Sequence, residues 1–217
     1  LRDVIKNFDL NPKKSLGQNF LLDLNITQKI ARAAGNLKNC TVIEVGPGPG
    51  GLTRALLIEG AGTLISLEKD DKCFTALTPL VDAAKGRFRI LSQDALTFDY
   101  QSIEGPKKIV ANLPYNISTE LLMGWLDQPD DIIGMTLMFQ KEVAQRLVAA
   151  PDTKACGRLS LLTKARFDAE IAFILPPQVF TPAPKIDSAV VTFSPTNAPL
   201  SKDQWETLKL ITRVAFA

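Results

Sequence analysis

Short apolar runs alternate with longer stretches of helical periodicity along most of the chain. The runs are rich in β-branched residues and have the length of strands, whereas the stretches between them have the length of helices. The predicted strands are residues 41–45, 63–67, 88–92, 108–111, 132–139, 170–175 and 188–193. The predicted helices are residues 51–59, 71–83, 118–125 and 141–149. Repeated strand–helix units predict a mostly parallel sheet with helices on both faces.

The last two strands break this pattern, because no helix separates them. They are joined by the proline-rich residues 176–185, a connection that favours an antiparallel pair at one edge of the sheet. We therefore predict an α/β fold with a Rossmann-like, seven-stranded sheet, in which five parallel strands are followed by an antiparallel edge pair.

The polar, proline-containing residues 194–201 are typical of a linker, and helical periodicity resumes near Asp203. We expect residues 1–196 to form one domain. Residues 197–217 would then be the linker and the first helix of a truncated C-terminal helical domain.

The composition restricts the possible chemistry. Of the 217 residues 46% are hydrophobic, and the net charge of +2 is too small to indicate a polyanion partner by itself. The chain has no histidine, which excludes Ser-His-Asp and Cys-His catalysis, and its three cysteines are too far apart for a zinc motif. No apolar run approaches the roughly 20 residues of a membrane-spanning helix. We expect a cytoplasmic protein with neither a metal nor a membrane partner.

A glycine-rich turn follows the first predicted strand, in the sequence VIEVGPGPGGL. Gly46, Gly48 and Gly51 match the GxGxxG pattern, in which glycines let a ligand approach the backbone closely. Pro47 and Pro49 lack the N–H groups on which a bound pyrophosphate depends. The turn therefore favours a nucleoside ligand without phosphates.

S-adenosylmethionine is such a ligand, since it carries a positive sulfonium and no phosphate. Glu44, just before the turn, adds a negative charge that tolerates a cation. Glu68 ends the second predicted strand, where a carboxylate can accept hydrogen bonds from both ribose hydroxyls. Asp94 follows the third strand and is placed to accept from the adenine amino group. Both carboxylates could instead be ordinary strand-end caps.

The fourth strand ends in Asn112, Leu113, Pro114 and Tyr115, next to the point where open α/β sheets bind ligands. An adenine amine is a poor nucleophile, and two acceptors that hold its N–H groups favour a tetrahedral nitrogen. The Asn112 side-chain oxygen and the Leu113 carbonyl could serve, while Pro114 stiffens the backbone and Tyr115 offers a stacking face. The alternative is a purely structural role at a strand-to-turn junction, where Asn and Pro are common.

Residues 18–21, 44–50, 112–119 and 180–188 together resemble the ribosomal RNA adenine N6,N6-dimethyltransferase family, and residues 139–144 resemble its bacterial small-subunit branch. The resemblance covers nearly the whole chain and implies the class I fold of S-adenosylmethionine-dependent methyltransferases. It implies dimethylation of two adjacent adenosines in a hairpin loop near the 3′ end of small-subunit rRNA. The expected substrate is an immature small subunit, the expected product of the cofactor is S-adenosylhomocysteine, and we expect a monomer.

The resemblance also implies site residues. The candidates for cofactor binding are Gln18, Asn19, Leu21, Glu44, Gly46, Gly48, Glu68, Asp94, Ala95 and Asn112. The candidate catalytic residues are Asn112, Leu113, Pro114, Tyr115 and Phe180, with Phe180 packed opposite Tyr115 around the target base. Phe180 could instead be a core aromatic that closes a proline-rich loop. Lys13, Lys14 and Lys185 are candidates for phosphate contacts, and a solvated surface is an equal alternative for them.

Three other functions fit parts of the sequence. Related motifs serve DNA adenine and protein-glutamine methyltransferases, although Leu113 and the Phe180 loop disfavour them. A non-catalytic ribosome-assembly or transcription-accessory factor could keep the fold, although Asn112 and Tyr115 are intact. A Rossmann dehydrogenase is disfavoured by the two prolines of the turn.

Overall fold

The computed structural model describes residues 1–12, 17–197 and 200–216. Its strands are β1 (Phe20–Leu21), β2 (Thr41–Val45), β3 (Thr63–Glu68), β4 (Phe88–Ser92), β5 (Lys107–Ala111), β6 (Ile132–Gln140), β7 (Phe167–Leu175), β8 (Phe180–Thr181) and β9 (Ser188–Pro195). Its α-helices are α1 (Arg2–Asn7), α2 (Leu24–Ala33), α3 (Gly51–Ile58), α4 (Asp71–Ala83), α5 (Ser118–Asp127), α6 (Lys141–Leu147), α7 (Arg158–Lys164) and α8 (Lys202–Ala215).

A seven-stranded sheet runs through the molecule in the order β4-β3-β2-β5-β6-β9-β7. The five strands from β4 to β6 are parallel, while β9 pairs antiparallel with both β6 and β7. The predicted fold class is therefore confirmed, including the antiparallel pair. The strand order reverses at β2, which lies between β3 and β5, so the carboxyl ends of β2 and β5 flank the crevice where such sheets bind ligands.

Two hydrophobic clusters cover the two faces of the sheet. Along β2, Val42 belongs to the cluster that contains Ile30 of α2, whereas Ile43 belongs to the cluster that contains Trp125 of α5. Successive side chains of a strand point to opposite faces, so a strand buried on both faces is mostly apolar. This is why the central strands are largely apolar runs in the sequence, although β2 also contains the buried Glu44.

Several elements were not predicted from the sequence. They include α1, α2 and the short antiparallel ladder between β1 and β8, in which Leu21 pairs with Phe180. The helix α2 is capped by Asp23, whose carboxylate accepts the Asn25 N–H at 2.8 Å. In addition, β7 begins at Phe167, three residues before the predicted start.

The last helix, α8, packs against the sheet domain. Trp205 is 1% exposed within the same cluster as Trp125, and its indole N–H donates to the Asp127 carboxylate at 2.8 Å. The Arg166 guanidinium stacks 4.5 Å from the centre of the Trp205 ring. The division into two domains at residue 196 stays a prediction. Within the described ranges, no helix has the length and apolar character needed to cross a membrane.

Candidate cofactor and base-binding site

A cavity of about 240 Å³ opens at the carboxyl ends of β2, β3 and β5, beside the loop that follows β4. Its walls come from the turns after these strands and from residues 17–21 of the N-terminal segment. The structure brings all of the predicted cofactor residues to this one cavity: Gln18, Asn19, Leu21, Glu44, Gly46, Gly48, Glu68, Asp94, Ala95 and Asn112. Their individual roles stay predictions.

The glycine-rich turn needs glycine for two different reasons. Gly46, Gly48 and Gly50 have φ angles of +66°, +54° and +86°, in the left-handed region that side chains disfavour. Gly51 has an ordinary backbone conformation, but a Cβ there would collide with the Leu21 carbonyl oxygen. The collision at Gly51 arises because β1 lies close to the start of α3 and leaves no room for a side chain.

The N–H groups of this turn are already used within the protein. Gly46 donates to the Leu67 carbonyl at 2.9 Å, Gly48 to Glu68 Oε2 at 3.1 Å and Gly50 to the Pro47 carbonyl at 2.9 Å. Pro47 and Pro49 have no N–H to offer. The turn from residue 46 to 50 therefore presents no free donor to a phosphate, which agrees with the interpretation of its prolines in the sequence.

Glu68 ties the turn to the end of β3. Its carboxylate accepts the N–H groups of Gly48 at 3.1 Å, Lys69 at 2.9 Å and Asp70 at 2.8 Å. Its side chain is nearly buried, and this burial raises the pKa of the carboxyl, partly offset by the three donors. Oε2 receives only one of these bonds and can accept another, as binding of a ribose hydroxyl requires.

Asp94 is held by a residue that the sequence did not indicate. The Lys69 ammonium lies 2.6 Å from Asp94 Oδ2, and the Leu96 N–H donates to Oδ1 at 3.0 Å. The hydrogen bonds from Lys69 and Leu96 lower the pKa of the Asp94 carboxyl. Lys69 also lines the cavity, so this ion pair joins the loops after β3 and β4. The only sequence signal for Lys69 is its position directly after Glu68.

Glu44 is a buried carboxyl group at the floor of the cavity. It is 1% exposed, and its Oε2 accepts hydrogen bonds from the hydroxyls of Thr53 at 2.8 Å and Ser66 at 2.7 Å. Desolvation by burial raises its pKa to about 7, against the effect of these two hydrogen bonds. Glu68 lies close enough to raise the pKa of Glu44 further.

The Asn112 side chain has a fixed orientation. Its Nδ2 donates to the Asn19 carbonyl at 2.8 Å, across 93 residues of sequence. Because the NH₂ end of the amide is used in this way, the Oδ1 end remains to accept a hydrogen bond from a ligand. Leu113 and Pro114, which follow Asn112, also line the cavity.

Tyr115 and Phe180 are not lining residues of this cavity. The Tyr115 hydroxyl is hydrogen-bonded to Ser188 Oγ, and burial raises the pKa of the phenol. Phe180 is 3% exposed and belongs to a core cluster with Leu21. Its placement fits the alternative of a core aromatic, because a ring buried to this extent offers no free face to a base. Stacking by Phe180 stays a prediction.

Among the predicted phosphate contacts, Lys13 and Lys14 lie outside the described residues. Lys185 is exposed in the loop before Asp187. Neighbouring this loop, the Lys141 ammonium lies 3.1 Å from the Asp187 carboxylate. The phosphate contacts of all three lysines stay predictions.

The charged residues that line the cavity are predominantly acidic. Among the residues that the structure describes, Glu44, Glu68 and Asp94 are accompanied by one basic residue, Lys69, which is paired with Asp94. Such a lining suits a cation and repels a phosphorylated ligand. Within the part of the chain that the structure describes, no three Cys, Asp or Glu side chains cluster as metal ligands would.

The fold and this cavity define a class I methyltransferase that depends on S-adenosylmethionine. Comparison with known proteins specifies the class further. Residues 9–217 match the ribosomal RNA adenine dimethylase family, and the chain belongs to that family. The resemblance seen in the sequence is thereby confirmed.

Relatives and solved structures agree with this assignment. The chain is 54% identical to Ribosomal RNA small subunit methyltransferase A of Brucella canis and 53% identical to that of Cereibacter sphaeroides, covering 100% of this chain and 80% and 79% of the relatives. A dimethyladenosine transferase from Plasmodium falciparum superposes with a TM-score of 0.80 at 26% identity, covering 91% of this chain and 70% of that one. The 23S rRNA methyltransferase ErmE gives a TM-score of 0.76 at 26% identity, covering 90% and 78%.

Proposed function

We propose that this enzyme transfers methyl groups from S-adenosylmethionine to N6 of two adjacent adenosines in a 3′-terminal hairpin loop of small-subunit rRNA. The substrate is an immature small ribosomal subunit, and the protein acts in the cytoplasm as a monomer. The names of the bacterial relatives, small subunit methyltransferase A, support the choice of ribosomal subunit.

The residues around the cavity fit the cofactor. S-adenosylmethionine supplies an electrophilic methyl group on a positively charged sulfur. Glu68 would hold the ribose through its remaining acceptor capacity, and Asp94 would accept from the adenine amino group. Glu44 at the floor has a pKa raised to about 7, so it carries its negative charge above that pH. The N–H groups of the turn are already paired within the protein, so a ligand without phosphates leaves none of them without a partner.

The observation that carries the proposal is the orientation of Asn112. Its amide is anchored through Nδ2 to the Asn19 carbonyl, so Oδ1 is the acceptor for one N–H of the target amine. The Leu113 carbonyl is the candidate for the second N–H. Two acceptors favour a tetrahedral amine nitrogen, whose lone pair is no longer delocalised into the adenine ring. The nitrogen is then a better nucleophile. No histidine is needed, because the methylated nitrogen is acidic enough to lose its proton to water.

An Asn112→Ala substitution tests this role. We expect methyl transfer to unmethylated small subunits to fall about 100-fold or more, as when one preorganised polar contact of a transition state is removed. Binding of S-adenosylhomocysteine, measured by calorimetry, should persist. The readouts are incorporation of labelled methyl groups and mass analysis of the modified adenosines.

Asn25→Ala is the matched control, because Asn25 is an exposed amide in the first turn of α2, on the surface of the same domain. This variant should transfer methyl groups at the wild-type rate. Near wild-type transfer by Asn112→Ala would refute the assigned role. Modification of other nucleotides by the wild-type protein would refute the proposed substrate.

A further inference from the structure

Tyr115 is held at both ends of its side chain. Its backbone follows Pro114 at the wall of the cavity, and its hydroxyl is hydrogen-bonded to Ser188 Oγ, 73 residues away in the sequence. Ser188 is fully buried and begins β9, where it pairs with Gln140 of β6 and Leu175 of β7. Ser188, the hydrogen-bond partner of the Tyr115 phenol, is therefore held in a strand that is paired on both sides.

The segment before Ser188 is fastened as well. The Lys141 N–H donates to the Asp187 carbonyl at 2.9 Å, and the Lys141 ammonium lies 3.1 Å from the Asp187 carboxylate. These two contacts join the end of the proline-rich loop to the junction between β6 and α6. Ser188 thus cannot shift independently of the sheet.

A tyrosine used only for its aromatic face does not need a hydroxyl. Burying a hydroxyl costs free energy unless it forms a hydrogen bond. The bond between the Tyr115 hydroxyl and the buried Ser188 therefore points to a role for that bond in holding the ring. A phenol tethered at its tip loses the freedom to rotate about the Cα–Cβ bond. The ring is then already oriented when a base arrives, which removes an ordering cost from binding.

We propose that Ser188 is a positioning residue for methyl transfer, whose hydroxyl holds the Tyr115 ring at the angle on which the target adenine stacks. The inference rests on the proposed function, because it takes Tyr115 as the stacking platform. Ser188 acts through Tyr115 and touches neither cofactor nor base.

The first test observes the tether directly. The chain contains only two tyrosines, Tyr100 and Tyr115, so ring-labelled ¹³C-tyrosine gives two sets of signals that Tyr115→Phe assigns. In Ser188→Ala we expect the Tyr115 ζ-carbon signal to shift because its hydroxyl loses its partner, with Tyr100 unmoved. Ser194→Ala, an exposed serine at the other end of β9, should leave both sets unchanged. An unmoved Tyr115 signal in Ser188→Ala overturns the proposal.

The second test measures the consequence for transfer to unmethylated small subunits. Loss of one hydrogen bond should lower kcat/KM roughly three- to tenfold in Ser188→Ala. The dissociation constant for S-adenosylhomocysteine, measured by calorimetry, should not change. Tyr115→Phe, which keeps the ring and removes the same bond, should give an equal loss, and the double variant should lose no more than either single variant.

Unchanged kcat/KM in Tyr115→Phe overturns the positioning role, and this variant decides the matter should Ser188→Ala fail to fold. A weaker cofactor affinity in either variant also overturns it, because the effect would then be general. If the wild-type protein transfers no methyl group to small-subunit adenosines, the proposed function itself fails. The NMR result distinguishes that outcome, since it reports the tether without any substrate.

Discussion

At the scale of single residues, Glu44 shows how a buried carboxyl group is accommodated beside a ligand cavity. Two hydroxyls, from Thr53 on α3 and Ser66 on β3, share one of its oxygens. They do not fully offset the cost of removing the charge from water, so the pKa of the carboxyl rises from 4.5 to about 7. The group therefore changes its charge near neutral pH.

The stability of the protein should reflect this titration. Between pH 4.5 and about 7 the folded chain keeps a proton on Glu44 that the unfolded chain has released. This contribution to stability is complete below the unfolded pKa and is lost as the pH rises through about 7. The free energy of unfolding should therefore fall less between about pH 5 and about pH 8 in Glu44→Gln than in the wild type.

Urea unfolding at a series of pH values measures this difference. The exposed Glu104→Gln serves as the control and should reproduce the wild-type pH dependence. If the free energy of unfolding depends on pH in the same way in Glu44→Gln and in the wild type, burial of the Glu44 carboxyl does not control that dependence.

The location of the candidate site residues at one cavity was predictable where it depends on neighbours in the sequence, while their roles stay predictions. The glycines and prolines of the turn, the carboxylates at strand ends and Asn112 all stand directly after predicted strands, and parallel strands bring their carboxyl ends together. Contacts between distant residues were not predictable. The bond between Tyr115 and Ser188 and the ion pair between Lys69 and Asp94 depend on how separate loops meet.

At the scale of elements, α8 is attached to the preceding part of the chain through Trp205, Leu208 and Lys209. Trp205 is buried, stacks on Arg166 and donates to Asp127 at the end of α5. The capping box formed by Ser201 and Gln204 fixes the start of the helix. The sequence indicated this helix by its periodicity, but not that Trp205 in its first turn would join the same hydrophobic cluster as Trp125.

Replacing Trp205 with alanine should lower the free energy of unfolding by about 3–5 kcal/mol, the usual range for a large buried aromatic. Urea unfolding followed by circular dichroism measures the loss. Leu210→Ala on the same helix is the matched control, since Leu210 is 64% exposed and should cost little. Equal effects of the two substitutions would contradict the docking of α8 through Trp205.

The repeated strand–helix units were predictable because each has the apolar periodicity of its type. By contrast, β1 and β8 have two residues each, too few for any periodicity. They exist because each supplies the backbone partner of the other, at Phe20 with Thr181 and at Leu21 with Phe180. Such pairing follows from tertiary structure alone.

At the scale of the whole molecule, the cavity joins five parts of the chain that are far apart in sequence. The N-terminal segment, three strand ends and the loop after β4 all contribute to it. A ligand that contacts them together should stabilise the whole fold, because it binds the folded state and not the unfolded chain.

We expect S-adenosylhomocysteine, at about 100 times its Kd, to raise the Tm by roughly 5–10 °C. NAD at the same concentration should leave the Tm unchanged, because the turn has no free N–H for its pyrophosphate. Thermal unfolding followed by circular dichroism compares the two ligands. Stabilisation by NAD alone would favour a dehydrogenase instead.

The contribution of residues 17–21 to the cavity has a consequence for protein engineering. A shortened chain that begins at β2 would retain every strand of the seven-stranded sheet. It would nevertheless lose the Asn19 carbonyl that orients the Asn112 amide, and the strand that pairs with Phe180 and Thr181. A minimal fragment chosen by the boundaries of the sheet would thus lose the backbone contact that orients the Asn112 amide in the cavity.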